Sequence, residues 1–223
     1  MLKAFSLIGA LFFIISVNGQ RNDAAHLWRP GSIYGEVPLK GTPYYEETFK
    51  TGHVALNGQT TVLKFRLNAY EGRIEIEDKN GKHFQLPSEK GQEVVFGGKT
   101  FRWMPYFDND VLKEAYFIPL VSGKVSLFYM PRKTFRQAEM PAHGYDPFKP
   151  AVYEDTSTYY IQEGAGQARP IRLANRPLLK FLNSRKNELK PYIKSHSPDL
   201  STQEGAIALL TYYNLLEEAK ASP

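Results

Sequence analysis

The chain has 223 residues, 28 Lys and Arg against 23 Asp and Glu, a formal net charge of +5 and no cysteine. That length allows one sizeable core, or one core with an appendage. Without cysteine there is no disulfide, no thiol nucleophile and no thiolate-bound zinc, so apolar burial must hold the fold.

In chain order, Met1 to Gly19 comes first. Lys3 supplies a positive start, Ala4 to Val17 an apolar run, and Val17-Asn18-Gly19 a small-x-small cleavage pattern. This predicts a signal peptide over 1–19 with Gln20 as the mature N-terminus. The apolar run is short for a membrane span of about 20 residues, and retention as an anchor is the alternative. Residues 20–45 combine Trp28, Pro30, Gly31, Tyr34, Pro38, Gly41 and Pro43 without any period, which predicts an arm or linker.

Residues 46–135 read as a β domain. Thr61 to Asn68 alternates, with Leu63, Phe65 and Leu67 on one face and Lys64 and Arg66 on the other; Arg73 to Glu77 does the same. Asn57-Gly58, Asn80-Gly81, Gly97-Gly98 and Ser122-Gly123 are hairpin turn signals. Strands are predicted over 52–56, 60–68, 72–78, 82–86, 92–97, 100–105, 115–121 and 124–130. Short connections favour sequential antiparallel pairing. The fold class is therefore mainly β (α+β): a β-meander of about eight strands, either an open curled sheet or an up-and-down barrel, with a C-terminal helical appendage.

Residues 136–174 read as a connector, Pro-rich in its first part, with further strands at Thr156–Gln162 and Arg169–Leu173. Residues 175–219 then turn helical. Asn175 is placed as the cap of a helix to about Asn183, a second helix runs from Ser184 to Ser195 around Pro191, and Ser201-Thr-Gln-Glu204 is a capping box for the last. In that last helix Tyr213 is expected to face inward, and Asn214 has no assignable role.

Chemical motifs are few. Gly97-Gly98-Lys99-Thr100 resembles the tail of a phosphate loop, but Glu93 stands where a glycine is needed and a strand follows, so a hairpin turn is expected. The five histidines lack metal-ligand spacing, and no G-x-S-x-G elbow is present. Glu75 and Glu77 share a strand face and read as solvated charges, and Asp108-Asn109-Asp110 as a polar hairpin tip. No catalytic residue, metal ligand or cofactor is assigned. The charge asymmetry is stronger: Arg169, Arg172, Arg176, Lys180, Arg185, Lys186, Lys190 and Lys194 face one acid, Glu188. For an exported chain this suggests a polyanion surface of lipid headgroups or acidic polysaccharide rather than nucleic acid. Tyr44, Tyr45, Trp103, Tyr106 and Tyr159 are candidate aromatics for a partner or glycan.

Gly41-Thr-Pro-Tyr44 with Phe49 and Gly52, Leu67-Asn68-Ala69-Tyr70 and Ile74-Glu75 form one set of short motifs; Glu188-Leu189, Tyr192-Ile193-Lys194 and Tyr212-Tyr213-Asn214 form another. On these the chain resembles an uncharacterised family of exported Gram-negative bacterial proteins. The resemblance implies an envelope location and no activity. The resulting expectation is an exported, periplasmic or extracellular protein, peripheral to the outer membrane in one form, without a membrane span once the leader is removed. It would be a non-enzymatic binding or structural module whose partner is an envelope protein, a glycan or an anionic lipid surface. A lipocalin-like carrier of a small apolar ligand is the alternative, and an exported hydrolase with a dispersed site the third reading.

Overall fold

The computed structural model describes residues 39–56, 59–108, 111–141, 143 and 147–221. The expected leader, the arm as far as residue 38, the Asn57-Gly58 turn and the Asn109-Asp110 tip lie outside the described residues.

The strands are β1 (Leu39–Lys40), β2 (Lys50–Leu56), β3 (Gln59–Asn68), β4 (Arg73–Glu77), β5 (His83–Gln85), β6 (Glu93–Phe96) and β7 (Lys99–Asp108). They continue with β8 (Val111–Val121), β9 (Val125–Met130), β10 (Lys133–Arg136), β11 (Ala151–Asp155), β12 (Thr158–Glu163) and β13 (Arg169–Ile171). Ten of them form one antiparallel sheet in the order β5-β4-β3-β2-β6-β7-β8-β9-β12-β13, and β1-β11-β10 form a small second sheet. The large sheet has two free edges and is not closed, so of the two expected forms the open one is present. The segment 136–174 adds β12 and β13 to this same sheet, with β12 paired to β9 along Thr158–Glu163.

Within β2 to β9, the strands of the expected meander, sequential pairing fails at one place. After β5 the chain crosses back and β6 pairs with β2. The crossover is anchored by a buried polar network: the Tyr116 hydroxyl donates to Gln92 Oε1 at 2.9 Å, and Gln92 Nε2 donates to the Pro87 carbonyl at 3.1 Å. Burial pushes the Tyr116 pKa up to about 12, so the hydroxyl stays a neutral donor. Gly52 permits the pairing itself, because a Cβ there would overlap the Val95 carbonyl oxygen. The gain is apolar burial: Val94 and Phe96 join Val54, Phe65, Leu67, Ile74, Phe101, Tyr116 and Ile118 in one cluster, with Phe96 stacked on Phe101 at 4.3 Å.

The opposite face carries a second core of Tyr106, Phe117, Phe128, Met130, Tyr160 and Ala168. Strands β7 and β12 are three places apart, about 14 Å in a flat sheet. The Tyr106 and Tyr160 rings nevertheless lie 5.4 Å apart, and Arg132 reaches Asp108 at 3.9 Å. The distal half of the β7–β8 hairpin therefore curls over β9 and β12.

Three helices close the C-terminal end: α1 (Asn175–Phe181), α2 (Lys186–His196) and α3 (Gln203–Ala221), with a 3-10 turn at Asn183–Arg185. Asn175 is the first helical residue and Ala174 the cap, whose methyl side chain offers no bond to the helix, and Leu178 enters the core one turn later. The last helix is capped by Thr202, whose Oγ1 accepts the Gly205 N–H at 3.1 Å, while Ser201 bonds Asp199 instead. Gly205 is required here, since a Cβ would overlap the Asp199 carbonyl. Leu178, Leu182, Leu189, Leu200, Leu209, Leu210 and Tyr213 pack with Val125, Leu127 and Ile161 of the sheet, and Tyr213 faces inward as expected.

Asn214 fastens α3 to the sheet. Its Oδ1 accepts the Val125 N–H at 2.9 Å, and its Nδ2 donates to the Val125 carbonyl at 2.8 Å. Gly123, at φ +153°, has no room for a Cβ beside this amide. Asn214→Ala would leave both Val125 groups buried and unpaired, so it should lower stability by about 2–3 kcal/mol. The check is urea unfolding: the midpoint should fall at unchanged slope, and Asn214→Asp, which sets a carboxylate oxygen against the Val125 carbonyl, should fall as far. An unmoved midpoint in both variants would contradict the fastening role.

Candidate functional site

A cleft of about 650 Å³ opens beside the β6–β7 hairpin, between the sheet and the start of α3. Its aromatic wall comes from three separate segments. Tyr129 of β9 lies 6.3 Å from Tyr45 and 5.3 Å from Tyr159 of β12, centroid to centroid. Tyr45 is held because its N–H donates to the Leu67 carbonyl at 2.9 Å and its ring meets Phe101 edge-on at 6.1 Å. Ile118, Pro119 and Leu120 line the apolar part, where the β8–β9 register shifts between Pro119 and Val121. Such an irregularity bends a strand and re-aims its side chains, which suits the edge of a site.

The polar part holds two ion pairs. Lys99 Nζ bonds Glu46 Oε1 at 3.1 Å and sits 5.5 Å from the Tyr45 ring centroid; the bond to Glu46 raises the Lys99 pKa and keeps it charged. Arg102 Nε bonds Glu93 Oε1 at 2.7 Å. The turn that presents Lys99 and Thr100 uses Gly97 and Gly98, both at positive φ (+58° and +72°). Gly97-Gly98-Lys99-Thr100 is thus a hairpin turn, as expected, and three of its residues, Gly98, Lys99 and Thr100, line the cleft. Gln203, at the first turn of α3, is 3.4 Å from the Tyr159 hydroxyl. Burial raises the pKa values of Tyr129 and Tyr159, so both hydroxyls remain neutral donors. Aromatic faces, hydroxyls, an amide and two neutralised ion pairs give this cleft a chemistry suited to an uncharged polar ligand.

Of the five candidate aromatics the structure brings together Tyr45 and Tyr159. Tyr44 lies under the Arg66 guanidinium at 3.5 Å, with Phe49 at 4.3 Å from the same group. Trp103 packs edge-on against Tyr116 at 4.8 Å. Tyr106, a candidate for contact with a partner or glycan, is instead 5% exposed, because the curled hairpin turns it into the second core. Tyr129, Lys99, Arg102 and Gln203 were not among the candidate site residues; only the turn dipeptide hinted that Lys99 is presented on a rigid corner.

Glu75 and Glu77 are a second correction, since they are ion-paired rather than simply solvated. Glu75 binds Arg66 at 2.6 Å and Glu77 binds Lys64 at 2.6 Å, each across the β3–β4 ladder. Among the described residues no three His, Asp or Glu side chains gather as a metal site. Of the eight basic candidates, Arg169, Arg172, Arg176, Lys180, Lys186, Lys190 and Lys194 are exposed. Arg185 departs from the set: its Nε bonds Glu217 at 2.5 Å, its Nη1 bonds Glu188 at 2.8 Å, and its side chain is 13% exposed. It clamps the 3-10 turn to α3 and is unavailable to an outside anion. Comparison with family models, curated proteins and solved structures returns no match.

The hydrogen bond from Arg185 holds the Glu217 carboxyl below the usual glutamate range. A carboxylate whose pKa is depressed by folding stabilises the fold above its unfolded value, about 4.3, and that contribution fades as pH falls through the folded value. Thermal midpoints should therefore drop on acidification below about pH 4. Glu217→Gln should lower the midpoint at pH 7 and shrink the acid drop; an identical acid profile in the variant would exclude this pair as its source.

Proposed function

We propose that the chain is an exported cell-envelope protein that acts as a non-enzymatic binding module, and that the tyrosine-walled cleft takes a glycan. The observation that carries this reading is the convergence of Tyr45, Tyr129 and Tyr159 in one open cleft, rimmed by Lys99–Glu46 and Arg102–Glu93. Sugar rings present apolar C–H faces that stack on aromatic rings, while their hydroxyls exchange hydrogen bonds with paired donors and acceptors. Both ion pairs are internally neutral and still half exposed, which suits hydroxyls better than a strong net charge. Export is supported by the leader pattern of residues 1–19, and an envelope setting by the resemblance carried by Gly41–Tyr44 and Tyr212–Asn214. No helix of the described residues is long and apolar enough to cross a membrane.

The carrier alternative draws less support. An up-and-down barrel keeps its apolar ligand in an enclosed chamber. Here the sheet is open, its faces are filled by packed side chains, and the cleft is polar on one side.

Titration of the protein with envelope oligosaccharides, followed by saturation-transfer NMR, tests the reading. Saturable binding is expected, with sugar ring protons receiving the transfer. Tyr129→Ala or Tyr159→Ala should each weaken it about tenfold, the equivalent of about 1.4 kcal/mol. Tyr70→Ala, exposed and outside the cleft, should leave it unchanged. Binding that survives both cleft variants would sink the assignment.

A further inference from the structure

We infer that the surface built by β13, α1 and α2 is a docking face for an anionic lipid surface, separate from the cleft. The first observation is charge segregation. Between Arg169 and Lys194 eight basic residues meet one acid, and the one clamped arginine, Arg185, absorbs that acid together with Glu217. The other seven cations are exposed, and no ion pair among the described residues holds them. On the β half Lys64, Arg66, Lys99, Arg102, Lys113 and Arg136 each have a carboxylate partner, and exposed lysines without one, such as Lys79 and Lys90, follow an acid in sequence (Asp78, Glu89) instead of standing in an acid-poor run.

The second observation is that part of the set of seven cations stands where local physics disfavours it, although Lys180 and Lys194, in the last turns of α1 and α2, sit favourably. Lys186, Lys190 and Lys194 recur every four residues along one flank of α2, each beside a like charge. Arg176 occupies the first turn of α1, which contains no acidic residue, and Lys186 opens α2; both are helix N-termini, which favour negative charge. Lys190 bonds only the uncharged Asn187 amide, at 3.4 Å, and departures from local preference that bring no internal carboxylate are expected where an outside anion supplies the compensation.

The third observation is shape. The cleft lies at the β6–β7 hairpin beside Tyr159, and its lining includes none of the seven cations. Leu178 and Leu189 tie α1 and α2 into the core, so the basic flanks are carried on packed helices rather than on a loop. Exposed cations spread over a strand and two helices match a broad sheet of phosphate groups better than a single threaded polyanionic chain.

The test uses the full chain with sedimented vesicles of phosphatidylcholine alone or mixed with phosphatidylglycerol. Because an apolar leader would bind both kinds equally, the readout is the excess on the anionic vesicles. The excess should be large at 50 mM NaCl and should collapse at 500 mM. Lys186→Gln, Lys190→Gln and Lys194→Gln combined should reduce it about a hundredfold, near fivefold per lysine. Lys79→Gln with Lys82→Gln and Lys90→Gln, exposed near the β5 edge, should leave it intact. Unfolding midpoints of both triple variants verify that the fold is retained; if the α2 triple fails this, Arg176→Gln with Lys180→Gln replaces it. Equal binding to both vesicle types, salt-insensitive excess, or an α2 variant that binds like the wild type overturns the inference. So does retention on dextran sulfate without excess on anionic vesicles, which would assign the face to a polyanionic chain.

Discussion

The carboxamide of Asn214 does the work of a strand. Beyond Val125 the β8–β9 hairpin turns, and no neighbouring backbone remains to pair with the Val125 N–H and carbonyl on that side. A carboxamide has the same donor and acceptor as a peptide group, so one side chain from α3 completes the ladder. This fixes the helix in rotation and in register. A shift by one residue would lose both bonds and offer Thr211, Tyr212 or Leu215 to the core in place of Leu210 and Tyr213. Because α3 is placed in this way, its first turn sets Gln203 beside Tyr159, and the cleft inherits its shape from a contact three helical turns away.

Without disulfides, the fold relies on using both faces of one sheet. One face holds the cluster around Phe65, Phe96 and Phe101 and passes, through Leu120, into the helical cluster; the other holds Tyr106, Phe117, Phe128 and Tyr160. Curling of the β7–β8 hairpin makes the second possible, since a flat sheet would leave those rings in water. Polar groups inside this arrangement are matched: Gln92 with Tyr116 and Pro87, Asn68 with Glu75 and the Glu71 N–H. Unpaired, each would cost more than it contributes when satisfied.

The legibility of this structure in its sequence follows the range of the interactions. Alternation at Thr61–Asn68 and Arg73–Glu77 is local, and β3 and β4 appear where it places them. The start of β8 was not readable, because Val111 to Glu114 are all exposed and no face is marked. Lys133–Arg136 and Ala151–Asp155 were missed as β10 and β11, being short, flanked by prolines and paired mainly with each other. The β2–β6 pairing depends on Gly52, whose missing side chain matters only once Val95 is beside it. In the same way Tyr45 and Tyr159 were nameable as aromatics, but their meeting at Tyr129, and the placing of Lys99, Arg102 and Gln203 around them, is set by tertiary structure. Asn214 is the extreme case, a residue whose whole role lies in a partner far away in sequence.

The small sheet has a consequence for the order of events during folding. Leu39 pairs in parallel with Ala151, and β11 in turn needs β10. A chain emerging from its N-terminus cannot seat β1 until β11 has been made, and cannot cover the Val125–Ile161 face until α3 follows. Non-local pairing of this kind slows folding, because the entropy of closing the loop comes before any contact rewards it. Under the proposed export this slowness has a use, because a chain whose first strand waits for a late one stays unfolded longer, the state in which a polypeptide can be threaded through a membrane pore.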